Sequence, residues 1–274
     1  MTTETQPLVS IIVPCYNYGK FLADALNYVL SQTHKRWECI IVDDGSEDNT
    51  PEIAAQFITK DNRFTYVYQE NAGLSATRNT GLRNCKGKYI QFLDADDLIL
   101  ADKIKLQVQH LELNNEIDIL YGDSVFFNTD KPTELLKGRE KGQYNKIKSL
   151  KKSGKGNGMI KNITVNNFIT VSSPLVKKEL IDKVGFFDTS YHSYEDWQYW
   201  FRCAHEDAFF QYWPQDGTET CIRIGHTSMM TNSGKMVNAG IKIRKYMMPF
   251  LPLHLKIYNL YRLVKLFTRK ALLN

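Results

Sequence analysis

Between Val9 and Gly122, five short apolar, β-branched runs alternate with stretches whose apolar residues recur at helical spacing. The runs are Val9 to Val13, Glu38 to Val42, Phe64 to Tyr68, Tyr89 to Leu93 and Ile117 to Tyr121. Short apolar strands separated by amphipathic helices can bury both kinds of face only as repeated βα units. The expected fold is therefore α/β, a mostly parallel central sheet with flanking helices. Phe21, Leu22, Ala25, Leu26, Val29 and Leu30 mark the first covering helix, and Ile104, Val108 and Leu111 a later one. Thr50-Pro51 predicts a helix start, threonine capping the free amides and proline sitting in the first turn, where its missing N–H is not needed.

The periodicity fails from Asp130 to Gly158, a stretch rich in lysine and glycine that reads as a long loop and a candidate lid. Its Gly154-Lys155-Gly156-Asn157-Gly158 lacks the preceding strand and the lysine–hydroxyl pair of a phosphate loop, and a flexible loop is expected there. Further on, Thr170 to Val176 predicts a strand, Lys178 to Val184 a short helix, and Tyr194 to His205 an aromatic-rich helix opening on Glu195-Asp196. Strands are expected at Phe209 to Trp213 and Glu219 to Ile224. The organisation read from this is one domain over 1–234, with halves 8–122 and 123–234, followed by a C-terminal helical extension, 235–274, interrupted at Pro249 and Pro252.

The net charge of +5 is mild, and the basic residues gather at Lys137 to Lys161 and Lys242 to Lys270. The first cluster is lysine, glycine and serine without the interleaved aromatics of a nucleic-acid groove, so no nucleic-acid partner is expected. Five scattered cysteines, Cys15, Cys39, Cys85, Cys203 and Cys221, lack the close spacing of a zinc or redox pair and predict free thiols. No run reaches the ~20 apolar residues of a membrane span, and a cytoplasmic chain is expected. The tail 246–273 mixes leucine, aromatic and basic residues. Two readings of it stand open: a face lying on an anionic membrane, or helices packed on the domain or on a second copy in a homodimer.

In open parallel sheets, ligands gather beyond the carboxyl ends of the strands. Here those ends read Cys15-Tyr16-Asn17, Asp43-Asp44-Gly45-Ser46 and Asp94-Ala95-Asp96-Asp97. Alternate residues leaving a strand can aim two carboxylates at one point, and clustered acids are tolerated chiefly when a cation neutralises them. Asp94 and Asp96 thus suit a hard divalent ion, while an acidic turn capping the next helix is the plain alternative and would suit Asp97. Asp43-Asp44-Gly45-Ser46 offers acceptors for a base or ribose, or is simply a tight turn.

Pro14-Cys15-Tyr16-Asn17, Val42-Asp43-Asp44-Gly45-Ser46, Asn71-Ala72-Gly73-Leu74-Ser75-Ala76-Thr77-Arg78-Asn79 and Phe92-Leu93-Asp94-Ala95-Asp96-Asp97, in this order and spacing, resemble the family 2 glycosyltransferases. The resemblance covers roughly Leu8 to Ser228 and implies the GT-A fold and an inverting transfer from a UDP-sugar to a glycan or lipid-linked glycan, of the kind used in bacterial surface polysaccharide assembly. It implies a nucleotide-binding half over 8–122 and an acceptor-binding half over 123–234. Pro14, Tyr16, Asp43, Asp44, Arg78, Asp94 and Ala95 would meet the nucleotide, with Tyr16 and Asp44 on the uracil. Asp96, with Asp94, would hold Mn2+ or Mg2+. Glu195-Asp196-Trp197 resembles the family's later acidic motif and makes Asp196 the general base, with Glu195 and Trp197 toward the acceptor. Arg223-Ile224-Gly225-His226 resembles, more loosely, the basic segment closing on the diphosphate, which makes His226 a diphosphate or metal candidate. A catalytically idle nucleotide-binding or scaffold protein of the same fold and a sugar nucleotidyltransferase are the alternatives.

Overall fold

The structure, a computed structural model, describes residues 6–128, 131–137, 151–225 and 233–272. Strands β1 (Val9–Cys15), β2 (Trp37–Asp43), β3 (Phe64–Tyr68) and β4 (Tyr89–Phe92) alternate with helices α1 (Gly19–Leu30), α2 (Thr50–Lys60) and α3 (Leu74–Asn84). After β5 (Leu98–Ile99) come α4 (Lys103–Leu113), β6 (Ile119–Tyr121), β7 (Ser124–Asn128), β8 (Lys131–Lys137) and α5 (Gly156–Val165). The chain continues through β9 (Leu175–Lys177), α6 (Lys178–Val184), α7 (Glu195–His205), β10 (Phe210–Tyr212) and β11 (Thr220–Ile224). It then runs into α8 (Ser233–Met247), a 3-10 turn at Met248–Phe250, and α9 (Leu253–Ala271).

The main sheet has the order β10-β6-β9-β4-β1-β2-β3, and only β9 runs against its neighbours. It takes strands from both sides of residue 123, so the two halves of the chain share one sheet. Because β1, β2 and β4 are parallel, with Cys15 opposite Asp43 and Ile12 opposite Phe92, their carboxyl ends open on one edge. Both faces are covered, Ile12, Ile40 and Phe92 packing into one core layer and Ile11, Ile41 and Leu93 into the other. This is why the strands read as continuous apolar runs rather than alternating ones. A Cβ at Gly81 would meet Ile12 Cγ2 at 2.3 Å, so α3 lies directly on β1, and the glycine sets how close its Arg78 comes to the edge.

The structure corrects several expectations. Helix α2 has Asn49 at its cap position and Thr50 inside its first turn, the Thr50 hydroxyl donating to Asp48 Oδ1 at 2.5 Å. Gly156 to Gly158, expected as flexible loop, instead open a helix, α5, because Met159, Ile160 and Ile163 just beyond them bury on one side of it. The strand expected from Thr170 is confined to Leu175–Lys177, because residues 171–173 turn and put Ser172 and Ser173 to work as hydrogen-bonding groups. Lys131–Lys137, inside the stretch expected as a long loop, is strand β8 and pairs with the adjacent β7, while β11 joins them to β5 from far along the chain to make a second sheet, β5-β11-β7-β8. The five cysteines are free. Residues 138–150, the centre of the candidate lid, lie outside the described residues. Among the described residues, no helix is long and apolar enough to cross a membrane.

Lys103 fixes the floor beneath the edge. Its buried ammonium donates to Gln91 Oε1, Gln107 Oε1 and Ser173 O at 2.6, 2.7 and 2.8 Å, joining α4 to β4 and to the segment before β9. Burial lowers its pKa to about 7.

Candidate active site at the carboxyl edge of the sheet

Asp94 follows β4, and a turn closed by Asp97 N donating to Asp94 O at 2.9 Å folds the acidic run back on itself. Ser172 holds that turn from the side: its Oγ accepts from Asp94 N at 3.1 Å and donates to Asp97 Oδ2 at 2.8 Å. Asp97 caps no helix, contrary to the alternative raised from sequence. Its other oxygen accepts from Arg223 N at 3.2 Å, so it is the buried joint between the acidic turn and β11. Burial, then the charges of Asp96 and Asp94, push its carboxyl well above the usual range. Arg223 continues the joint through Asp96 O at 3.0 Å and Asp24 Oδ2 at 2.8 Å. Asp94 and Asp96 remain half-buried at the edge.

A single guanidinium connects this turn to α7. Arg78, 1% exposed, donates from Nη2 to Asp94 Oδ1 at 2.8 Å and from Nη1 to Glu195 Oε1 at 2.7 Å. Burial opposes its charge, but the two carboxylates hold its pKa above the ordinary arginine value. Asp94 in turn titrates higher than usual through burial, with Arg78 pulling the other way. Arg78 therefore lies beneath the edge and positions two acids, whereas the resemblance put it on the nucleotide.

Asp196 follows Glu195 in the first turn of α7. The residue before the pair, Tyr194, sits in the left-handed region at φ 59°, a conformation costly for a bulky residue, and it turns the chain sharply into the helix. Asp196 accepts from Asn167 Nδ2 at 2.9 Å and from Trp197 N at 2.7 Å. Burial, then the Glu195 charge, push its pKa up to about 7, only partly offset by those donors and Arg78. A half-buried carboxylate with that pKa can take a proton near neutrality. Trp197 is 5% exposed, with its indole N–H on Ile163 O at 2.7 Å, so it belongs to the core and offers no wall to an acceptor.

The other strand ends fasten loops. Asp43, fully buried, accepts from Ser46 N at 2.8 Å and Tyr66 Oη at 2.6 Å. Asp44, 3% exposed, accepts from Gln69 Nε2, Ala72 N and Gly73 N at 2.6, 2.9 and 2.9 Å. Its task is to pin the 71–73 segment that feeds α3, and hence Arg78. Asp44→Asn would set an amide against those backbone donors. It is expected to cost about 2 kcal/mol and several degrees of melting temperature. An unchanged melt with weakened nucleotide binding would instead put Asp44 on the base. Pro14 and Ala95 are buried backbone of the site, and Tyr16, 47% exposed, stands open at its rim.

Sequence reading missed Ser172, Asn167 and Tyr66, whose spacing carries no signal. It also missed Tyr18, whose phenol is pushed up to about 12 by burial and then by the charges of Asp96, Asp94 and Asp97. Ligation by His226 lies outside the described residues. Among the described residues, no three His, Cys, Asp or Glu side chains converge as a closed metal cage would require. Oxygen donors from Asp96 and Asp94 alone fit a hard cation that completes its shell on a ligand's phosphates.

Residues 10–168 match the family model described as glycosyl transferase family 2. The chain belongs to that family. GlyG of Streptococcus pneumoniae serotype 4, named a glycosyltransferase, is 34% identical over 182 residues, which is 65% of this chain and 60% of GlyG. The chain spans less than two thirds of the length of the curated relatives it matches first. The fold is GT-A. TarS 1–349 of S. aureus, solved with UDP, superposes with a TM-score of 0.67 at 18% identity, over 95% of this chain and 71% of that one. The mannosyltransferase PcManGT of Pyrobaculum calidifontis, solved with GDP-Man and Mn2+, superposes at 0.68 and 19% identity, over 97% of this chain and 74% of that one. The family match stops before α7, so the place of Asp196 in this family 2 domain rests on the structure's own geometry.

Proposed function

We propose that the chain transfers one sugar, with inversion, from a UDP-sugar to a hydroxyl of a glycan or lipid-linked glycan on the cytoplasmic side. One observation supports the reading: Arg78 pairs with both Asp94 of the acidic turn after β4 and Glu195 of the first turn of α7, so one guanidinium holds the two acidic segments side by side. The reaction needs both. The acceptor oxygen bonds to the anomeric carbon, its proton passes to Asp196, and the bond from that carbon to the diphosphate oxygen breaks with its electron pair leaving on the diphosphate. Attack opposite the leaving group inverts the centre in one step, and no enzyme nucleophile is required. Asp96, with Asp94 beside it, would hold the divalent cation, Mn2+ or Mg2+, which when bound supplies positive charge toward the diphosphate. Glu195 acts through Arg78 rather than on the acceptor. The solved relatives carry UDP in one case and GDP-Man with Mn2+ in another, which supports a nucleotide-sugar donor and a divalent ion. Uracil rests on Tyr16 and the motif around it.

Calorimetry with UDP, GDP and CDP, each with and without Mn2+, tests the base and the cation together. The wild type is expected to bind UDP best and to need Mn2+, and Asp96→Ala is expected to weaken UDP binding about tenfold to a hundredfold. Absence of binding by any of the three would return the idle-scaffold reading.

A further inference from the structure

Helix α9 is amphipathic in an unusual sense. Its inward face carries a polar clamp: Arg244, 1% exposed, donates to Asn259 Oδ1 at 2.9 Å, and Asn259 Nδ2 returns a bond to Arg244 O at 2.7 Å. Leu255 and Leu263 bury beside it. Its outward face is apolar. Leu253, Ile257, Leu260, Val264 and Phe267 are between 47% and 74% exposed. At 3.6 residues per turn these five fall within an arc of about 80°. By the same spacing Lys256 and Lys265 flank that arc on opposite sides, and Lys265 Nζ lies 4.6 Å from the Tyr261 ring centroid.

The charge is equally one-sided. No acidic residue follows Glu219, and nine lysines and arginines lie between residues 233 and 274. The other 26 basic residues of the chain meet 30 acidic ones, so the domain outside the tail is net negative. An apolar stripe flanked by a lysine on each side, on a tail without acidic residues, fits an anionic lipid surface, apolar side chains entering the acyl boundary and the cations meeting headgroups. A second copy of the same tail would bring like charges together and fits it poorly.

The helix also reaches the base side of the site. A Cβ at Gly240 of α8 would lie 3.2 Å from Leu266 Cδ1 of α9 and 3.8 Å from Tyr194 Cε2, so this glycine lets α9 and the residue that launches Glu195-Asp196 converge. Tyr194 titrates above the usual phenol through burial and then Asp196, while Arg244, Arg269 and Arg262 act in the other direction.

We propose that the outward face of α9, built on Ile257, Leu260, Val264 and Phe267 and edged by Lys256 and Lys265, docks on an anionic membrane. Docking there presents the Asp196 side of the site to acceptors anchored in that leaflet. The choice of a lipid-anchored acceptor rests on the transferase reading above, whereas the docking itself does not.

The test is co-sedimentation of the full chain with phosphatidylcholine vesicles, with and without phosphatidylglycerol, alongside light scattering without lipid. Wild type is expected to sediment with the phosphatidylglycerol vesicles and to be released by salt. The triple variant Ile257→Ser, Leu260→Ser, Val264→Ser and, separately, the pair Lys256→Glu, Lys265→Glu are each expected to lose about tenfold or more in apparent affinity, while binding UDP as wild type does. Equal sedimentation of both variants and wild type would overturn the proposal. So would a wild-type dimer that ignores vesicles and that the triple variant dissociates. Vesicle binding without nucleotide binding would sink the transferase reading alone.

Discussion

Asp196→Asn is expected to lower the transfer rate by about a hundredfold to ten-thousandfold and to leave UDP binding intact. The substitution keeps the shape of the side chain, and an amide flip at Asn167 restores the partner that Asp196 Oδ2 now accepts from. What disappears is the group that receives the acceptor's proton. Because burial and Glu195 raise that carboxyl to about 7, the wild-type rate should climb with pH through neutrality as the base ionises, and the variant should lose that limb. The same elevation carries a stability cost whose sign is fixed. Between the ordinary value of 3.8 and about 7, the folded chain holds a proton that the unfolded chain has released. Stability from this group therefore falls as pH rises across that window, and above it the charged carboxylate stays a burden. The variant should melt no lower than wild type at pH values above about 7. A variant that keeps near wild-type turnover, measured as UDP release with a competent acceptor, would remove Asp196 from the base role.

Arg78→Met is expected to be the most damaging change to folding. It leaves Asp94 and Glu195 facing each other under the edge with no cation between them, a loss of about 3–5 kcal/mol for breaking a buried ion network. For a chain of this size, about 2–4 °C per kcal/mol makes that a fall of roughly 6–20 °C in melting temperature. Arg78→Lys should fail too, though less severely, because one ammonium cannot span two carboxylates that meet separate nitrogens of one planar group. Calorimetry at low temperature separates the two accounts of Arg78. If it positions acids from below, the lysine variant melts early but still binds UDP with weakened affinity. If it touches the nucleotide, affinity collapses while the melt stays near wild type, and a melt within about 1 °C of wild type for Arg78→Met would end the bridging account.

These expectations turn on contacts of different range, and legibility followed range. The order of βα units was plain because each strand and helix announces itself within about ten residues through its own period. Parallel strands then place every strand end on one edge, which is why Tyr16, Asp44, Asp94 and Asp96 could be nominated together. Helix α5 escaped because its glycines resemble a loop locally, and only packing of Met159, Ile160 and Ile163 against the core holds it. In the second sheet, β5 and β11 meet across more than a hundred residues, and β8, though next to β7, lies in a lysine- and glycine-rich stretch with no apolar period of its own.

The α/β order, the family 2 motifs and the positions of the acids are legible along the chain, because local period and strand polarity require nothing from its distant parts. The sequence by itself did not determine what each acid does. Asp43, Asp44 and Asp97 look alike in the sequence to Asp94 and Asp96, yet the first three are buried on internal donors, while Asp94, with one oxygen on Arg78, and Asp96 stay half-buried at the edge. Only the tertiary structure made that division, since it depends on which donors from Tyr66, Ala72, Ser172 and Arg223 arrive there. Arg78 shows the same limit at its longest reach: its partner Glu195 lies 117 residues away, and nothing short of the folded chain brings them together.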